Sequence, residues 1–543
     1  MTNTLKAIQH WIDLNVLSLG REMRLSYLPP LMVYMAAGIS GLTGIVGTFF
    51  VKDYLGLSAA FLAALGFWAG VPWALKMPLG HLVDLIWRWK SALVFIGAGM
   101  IAASLLIMVG LLTDRDAMSA MLAPGAWYVA SVLLAAVGYV VQDVVADAMT
   151  VEAVPRVDAQ GKPIDAAQRK LMNTTMQTLG RVAIISGGVL VALINIYVFS
   201  GVQGLSEDQK VDIYRRVYLL ALFIPAISVA GVLSAMWLVR RERRRLRGLG
   251  HSATEIDQLV SGRSEATTPN WWILGGSLVF VAFSLGMGFS DIPYNQEIIF
   301  TGSFGIIAFL LLRLTRELEP DVRSTLLGTV IVIFVFRALP GPGEGITWWF
   351  IDELKFDQQF ISILSLIGSV LTLAGMFLFR RFMADHSIAY IVGFLTLVGG
   401  LLSLPYVGMY FGLHQWTAAI TGGVVDARFI ALANTALESP LGQIAMIPML
   451  AWIANSAPTN LKATYFAVMA SFTNLALSAS ALGTKYLNQI YIVSREVKDK
   501  TGAVTVPADY SQLGELLIVQ LIIATVVPFA AIALIRALRL RSA

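Results

Sequence analysis

The chain has 543 residues and a net charge of +5; 57% of its residues are hydrophobic, whereas only 13% are charged. A soluble globular protein carries about 25% charged residues, so this chain has too few charges to cover a water-facing surface. It contains no cysteine, which excludes disulfides, thiol catalysis and thiolate metal sites. The composition therefore predicts a membrane protein with many spanning helices.

Apolar segments long enough to cross a bilayer, roughly 20 residues each, recur along the chain. The predicted spans are 27–50, 58–80, 91–112, 126–150, 172–199, 215–239, 271–291, 297–313, 324–340, 358–380, 388–408, 427–453, 461–488 and 512–535. Residues 1–25 lack the apolar region and the cleavage site of a signal peptide. We expect them to form an amphipathic cytoplasmic segment at the membrane surface.

Charged residues between the predicted spans indicate the topology. Lysine and arginine precede the first span and follow every second span thereafter, whereas acidic pairs such as Asp114 with Asp116 fall in the opposite loops. Basic loops face the cytoplasm in most membrane proteins. The pattern predicts a multi-pass protein of the cell (inner or plasma) membrane with both termini in the cytoplasm.

The order of spans and linkers resembles the plan of the major facilitator superfamily, in which two six-helix bundles are joined by a cytoplasmic linker. We therefore expect an all-α fold of 12 core helices plus an inserted hairpin. The expected parts are a bundle at 26–239, a basic linker at 240–270, a transmembrane hairpin at 271–322 and a second bundle at 323–543.

The linker and the hairpin carry charges of their own. The turn of the hairpin contains Asp291, Asn295 and Glu297, which are expected to be solvated. The linker begins with six arginines that either bind anionic lipid headgroups or only set the topology: Arg240, Arg241, Arg243, Arg244, Arg245 and Arg247.

Ionisable side chains inside a bilayer are costly, so each one is a candidate functional residue. Asp143 and Asp147 lie four residues apart in the fourth span and share one helix face. Arg181 lies in the fifth span on a polar stripe with Asn173 and Gln177, and it is predicted to face the two acids. These residues form either a solute and proton site or a buried ion pair that locks two helices together.

Other polar residues lie in the second half. Arg337 suits an anionic solute, because its planar fork matches a carboxylate, but it could instead reach the outer interface or pair with Glu344. Gln443 and Asn474 fall within spans, where amides more often join helices than bind a ligand. The five histidines lack metal-ligand spacing and no Walker loop is present, so we expect gradient-driven or facilitative transport without a metal or cofactor.

Several stretches resemble the folate–biopterin transporter family. They include 75–84 followed by Arg88 and Lys90, 143–152, Gln177, 340–356, Asp426, 442–448, Pro458, 463–467 and Asn474. Their order along the chain supports the resemblance more than any one motif does. The chain departs from the family at Lys462, where an acidic residue is usual, and in the additional hairpin.

The resemblance implies a major facilitator fold and proton-coupled uptake of folates or pteridines. It places Asp84 at a cytoplasmic gate, together with Arg88 and Glu152, and it places Asp143, Asp147 and Gln177 in a central polar site. The expected function is secondary active transport of a small anionic or zwitterionic organic solute by a monomer that alternates its access. Alternatives are a muropeptide-like permease and a non-transporting assembly or delivery factor on the same fold; an enzyme is not expected.

Overall fold

A computed structural model of the chain describes residues 21–50, 55, 57–74, 76–86, 89–158, 162, 164–202, 205–261, 271–288, 292–315, 319–444, 446, 462–498 and 504–542. Most of the predicted amphipathic segment at 1–25 lies outside these residues. Residues 445 and 447–453, at the end of the predicted span 427–453, also lie outside them. Helices dominate the described part of the chain.

The described residues of the first part of the chain form eleven helices, and 3₁₀ turns at Leu25–Tyr27 and Ser40–Thr43 flank the first of them. The helices are α1 (Leu28–Ile39), α2 (Gly44–Phe50), α3 (Ala59–Ala74), α4 (Lys76–Leu85), α5 (Lys90–Thr113), α6 (Arg115–Met121), α7 (Pro124–Ala153), α8 (Ala166–Val198), α9 (Glu207–Ala221), α10 (Phe223–Gly248) and α11 (Ala253–Ser261).

The second part begins with the hairpin α12 and α13 and ends with α22, and a 3₁₀ turn at Ser439–Leu441 follows α20. These helices are α12 (Trp271–Gly288), α13 (Asn295–Thr315), α14 (Pro320–Arg337), α15 (Gly345–Asp352), α16 (Gln358–Leu378), α17 (Arg380–Asp385), α18 (Ile388–Tyr410), α19 (Leu413–Ile420), α20 (Ala427–Glu438), α21 (Lys462–Ile490) and α22 (Leu513–Ala537). A short antiparallel pair, β1 (Val497–Lys498) and β2 (Val504–Val506), precedes α22.

Local sequence explains where several of these helices begin. Pro124 and Pro320 occupy the first turns of α7 and α14, where proline removes no helical hydrogen bond. Ser206 and Gln209 form a capping box at the start of α9. After α14, Gly343 adopts a positive φ of 76° that only glycine tolerates easily, and the chain turns there into α15.

Nine helical segments of the described residues are long and apolar enough to cross a bilayer: Leu25–Phe49, Lys90–Thr113, Pro124–Thr150, Thr178–Val198, Asp208–Gly248, Asn295–Arg313, Gln358–Leu378, Ile388–Tyr410 and Leu513–Ala537. The other five predicted spans contain α3, α12, α14, α20 and α21. Each of the fourteen predicted spans therefore contains a helix. The prediction of an all-α polytopic membrane protein is confirmed.

Glycine allows the helices of the first part to approach one another closely. A Cβ atom on Gly97 of α5 would lie 2.7 Å from the carbonyl oxygen of Gly138 in α7. On α1, a Cβ atom on Gly38 would overlap the carbonyl oxygen of Ile184 in α8, and Gly187 faces Gly38 in the same way. Lipid provides no hydrophobic driving force for helix association, so helices in a membrane depend on van der Waals packing, which small residues make close.

The helices of the first part (α1–α11, the first group) and those of the second part (α12–α22, the second group) meet along two seams. In the seam of α3 with α21, Asn474 Nδ2 donates a hydrogen bond of 3.2 Å to the carbonyl oxygen of Trp73. In the seam of α8 with α16, a Cβ atom on Gly188 would lie 3.2 Å from Ser369 Oγ. The predicted domain boundaries stay a prediction, but these seams define where side chains of the two groups can converge.

The hairpin of α12 and α13 packs against α4 and α21. Lys485 Nζ lies 2.6 Å from Glu297 Oε1, and Tyr486 donates its hydroxyl to the same oxygen at 2.5 Å. The prediction that Glu297 is merely solvated is wrong, because Lys485 of α21 supplies a counter-ion that sequence spacing does not reveal. Asp291 lies outside the described residues.

The contact between Gly38 and α8 predicts a position-specific loss of stability. We expect Gly38→Ala to lower the thermal midpoint of the purified protein, because an added Cβ forces α1 and α8 apart and such overpacking costs about 1–3 kcal/mol. Gly41→Ala is the matched control, since nothing lies within 4 Å of a Cβ atom there. Equal midpoints for the two variants would contradict the close contact.

Candidate functional site

Lys76 binds two carboxylates at once inside the first group of helices. Its Nζ atom lies 2.6 Å from Asp143 Oδ2 and 2.7 Å from Asp147 Oδ2. The two acids share one face of α7, because they are four residues apart, and Lys76 is the first residue of α4. Tyr34 of α1 donates its hydroxyl to Asp147 Oδ1 at 2.6 Å. We call Tyr34, Lys76, Asp143 and Asp147 the acid–base cluster.

The two acids differ in their access to solvent. The side chain of Asp143 is 17% exposed, that of Lys76 is 18% exposed and that of Asp147 is 41% exposed. Charges removed from water need partners, and Lys76 supplies one positive charge for two negative ones. The remaining negative charge is balanced either by a proton or by a second cation. Asp147 is the more solvent-accessible of the two acids.

Arg181 of α8 is the second cation near the cluster. It interacts electrostatically with Asp143 and with Tyr34, and α8 passes so close to α1 that a Cβ atom on Gly180 would lie 2.9 Å from the Tyr34 ring. Within the described part of the chain, however, Arg181 forms no ion pair. The prediction that Arg181 can face Asp143 or Asp147 corresponds to this electrostatic interaction with Asp143, whereas the direct ion pairs of both acids are with Lys76.

Sequence reasoning did not assign Lys76 to the acids, although it lies within a predicted span and intramembrane lysines require a partner. Its role depends on the way α4 packs against α7, which is a tertiary contact. The neighbouring prediction for Gln177 stays a prediction. That residue lies in α8, but its side chain is outside the described part.

Arg337 ends α14 in the second group of helices. Its Nε atom donates to the carbonyl oxygen of Thr473 at 3.2 Å, and its guanidinium contacts Met446 Sδ at 3.5 Å. Among the described residues it does not pair with Glu344, so that alternative is not supported. Arg337 and Arg181 are close enough to repel each other electrostatically. Two guanidinium groups from opposite groups of helices therefore interact electrostatically, and each has the planar fork that suits an anionic group.

A cavity of about 360 Å³ lies beside the acid–base cluster. It is lined by residues of α2, α3, α5, α7 and α9, and Glu344 and Trp348 close it from the second group. Tyr139, which lines the cavity, precedes Asp143 by four residues on α7, about 6 Å along the helix axis. The cavity therefore reaches to within one turn of Asp143 along α7, although none of the four cluster residues lines it.

The structure describes the side chain of only one of the three residues predicted at a cytoplasmic gate. Glu152 near the end of α7 accepts a hydrogen bond of 2.7 Å from Lys90 Nζ, which joins α7 to the start of α5. Asp84 lies in α4, but its side chain is outside the described part, and Arg88 is outside it altogether. Their role in a gate stays a prediction.

The remaining predicted residues lie at helix ends and seams. Asp426 caps α20 by accepting a hydrogen bond of 2.8 Å from the backbone N–H of Phe429. Gln443 follows the 3₁₀ turn after α20, and Asn474 belongs to the seam of α3 with α21. Sequence reasoning missed Glu438, an acid inside a predicted span, whose Oε2 atom accepts from Asn434 Nδ2 at 3.5 Å.

The described residues contain no group of three histidine, aspartate or glutamate side chains that could hold a metal ion. The charged groups of the site are instead acids, a lysine and two arginines. Such a set can bind and release a proton and can bind an organic anion.

Comparison with known sequences identifies the family. The sequence model of the BT1 family matches residues 37–541. The chain belongs to the BT1 family. A curated relative is the folate-biopterin transporter of Synechocystis sp., which is 25% identical over 464 residues that cover 84% of this chain and 74% of the relative. The chain is therefore a multi-pass membrane transporter of a small-molecule solute and not an enzyme.

Solved structures support the fold of this BT1-family chain. It is similar to a POT family transporter in complex with 5-aminolevulinic acid, with a TM-score of 0.58 and 12% identity over 96% of each chain. It is also similar to the nucleoside transporter NupG, with a TM-score of 0.54 and 11% identity over 94% of this chain and 99% of that one. At this identity the likeness shows the fold alone, which is that of the major facilitator transporters.

The acid–base cluster predicts a stability defect with a specific rescue. Lys76→Met leaves Asp143 and Asp147 without their cation, and breaking a buried pair in this way costs about 3–5 kcal/mol. We expect a lower thermal midpoint for Lys76→Met, and substantial recovery when Asp143→Asn and Asp147→Asn are added. The measurement is thermal unfolding of purified protein. A triple variant no more stable than Lys76→Met alone would contradict charge balance as the cause.

Proposed function

We propose that this chain is a proton-coupled symporter of a small anionic or zwitterionic organic solute of the folate or pterin type. The observation that carries the proposal is the acid–base cluster, in which two acids share one lysine beside a cavity and near two converging arginines. The solute type follows the name of the Synechocystis relative.

Proton and solute binding are coupled through charge in this mechanism. With both acids ionised, Lys76 and Arg181 balance Asp143 and Asp147. When Asp147 takes up a proton, the lysine stays with Asp143 and the site becomes more positive by one charge. An anionic group near Arg181 and Arg337 then binds more tightly, and linkage requires that the bound anion favours protonation equally.

Alternating access would use the two seams between the groups of helices. The halves rock about the solute, and α3 with α21 and α8 with α16 are the contacts that change. Lys90 and Glu152 would close the cytoplasmic side together with Asp84 and Arg88. Release of the proton from Asp147 to the cytoplasm restores the balanced cluster and lowers the affinity for the anion.

The proposed location is the cell membrane, with both termini in the cytoplasm and the transporter acting as a monomer. The arginine-rich end of α10 would then lie at the cytoplasmic surface. Arg243 pairs with Asp257 at 2.8 Å and Arg245 pairs with Glu242 at 2.6 Å. The neighbouring arginines Arg240, Arg244 and Arg247 are exposed, and they would contact anionic lipid headgroups.

Uptake by proteoliposomes tests the coupling. We expect Asp147→Asn to abolish the accumulation of folate driven by an inward proton gradient, because an amide cannot carry the proton. Exchange of external for internal folate should continue, since that exchange needs no net proton movement. Asp143→Asn should also lose gradient-driven accumulation, because it removes the acid that holds Lys76.

Asp208→Asn is the matched control, because Asp208 is an exposed acid at the start of α9. It should accumulate folate as the unmodified protein does. Full gradient-driven accumulation in both Asp143→Asn and Asp147→Asn would remove the acid–base cluster from the mechanism. An unmodified protein that carries no pterin or folate would refute the proposed solute type.

A further inference from the structure

The cavity beside the acid–base cluster has the character of a site for a flat heterocyclic ring. Its volume of about 360 Å³ lies within the roughly 300–1,000 Å³ range of small-molecule sites. Four aromatic side chains line it, namely Tyr128, Tyr139, Tyr218 and Trp348. Aromatic side chains bind planar rings by stacking and by apolar contact, while the hydroxyl groups of the tyrosines can still donate hydrogen bonds.

Glu344 is the charged residue among those that line this cavity. It lies in the turn between α14 and α15, and its carboxylate forms no ion pair or hydrogen bond within the described part of the chain. Burial raises the pKa of the Glu344 carboxyl above its ordinary value. A buried carboxylate without a partner is costly, and a ligand that donates hydrogen bonds to it removes that cost.

The carboxylate chemistry of Glu344 restricts which ligand groups can pair with it. An ionised carboxylate accepts hydrogen bonds through both oxygens and donates none, so its best partner presents two adjacent N–H donors in one plane. A ring oxygen in place of one donor would instead face the carboxylate with a lone pair and repel it. The carboxylate thus selects between rings of equal size and shape.

We infer that Glu344 is the specificity-determining residue of a ring-binding subsite in this cavity, where its carboxylate accepts two adjacent N–H groups of a planar nitrogen heterocycle. The ring edge of this class is the aminopyrimidinone edge that pterins carry. The subsite rests on the proposed pterin-type solute, but it assigns ring recognition to Glu344, apart from proton coupling at Asp147. Tyr139, the lining residue of α7 nearest the acid–base cluster, lies one turn from Asp143.

A substitution that reverses the hydrogen-bonding pattern tests the inference. Glu344→Gln presents one acceptor and one donor, so it matches lumazine, the analogue of pterin in which an oxygen replaces the amino group. We measure binding of pterin and of lumazine to the purified full-length protein by isothermal titration calorimetry, at a pH where both are neutral. The unmodified protein should prefer pterin by about ten- to hundredfold, the value of a hydrogen bond to a charged group.

In Glu344→Gln this preference should disappear or reverse in favour of lumazine. Glu353→Gln is the matched control, because Glu353 is an exposed acid at the other end of α15, and it should keep the preference for pterin. Binding of pterin with an unchanged preference in Glu344→Gln would overturn the subsite and leave the proposed transport function standing. Binding of neither ring by the unmodified protein would overturn both the subsite and the proposed solute type.

Discussion

The structure depends on the balance of charge around Lys76. One ammonium group serves two carboxylates on α7, at 2.6 and 2.7 Å, and the side chains of Lys76 and Asp143 are each less than a fifth exposed. Because an unpaired charge there is costly, any change in the protonation of one acid alters what the remaining groups can bind. The arginines of α8 and α14 lie close by, so the same balance extends from the first group of helices to the second. In the proposed mechanism, transport of a charged solute and binding of a proton are two effects of one electrostatic constraint.

Close helix packing holds these charges at fixed separations. Gly38 and Gly187 bring α1 against α8, and that contact sets Tyr34 beside Gly180 and above Asp147. The cavity reaches along α7 to Tyr139, one turn from Asp143, and Glu344 lines it from the second group. The proposed ring-binding subsite and the proposed proton site therefore differ in chemistry, and α7 contributes residues to both. A solute with a planar ring and an anionic group would contact both groups of helices at once, which is the contact that alternating access requires.

The sequence predicted the fold better than it predicted the site. The spans could be predicted because the length of an apolar run is a local property, and the pairing of Asp143 with Asp147 could be predicted because a four-residue spacing fixes a shared helix face. The partner of those acids could not be predicted, since Lys76 meets them only when α4 packs against α7. Glu297 was expected in solvent for the same reason, as its counter-ion Lys485 lies far along the chain. Glu344 reaches the cavity through a turn at Gly343, and no periodic pattern predicts such a turn.

Infrared difference spectroscopy of the purified protein tests the central claim most directly. Folate, which carries two carboxylates, would be added to protein that carries isotope-labelled aspartate, and the stretching band of protonated carboxyl groups would be recorded. The account predicts that bound solute increases this band and that the isotope shifts it, because an anion beside the arginines favours protonation of an aspartate in the cluster. Solute that binds without any change in the aspartate carboxyl band would contradict the coupling of charge between the two sites.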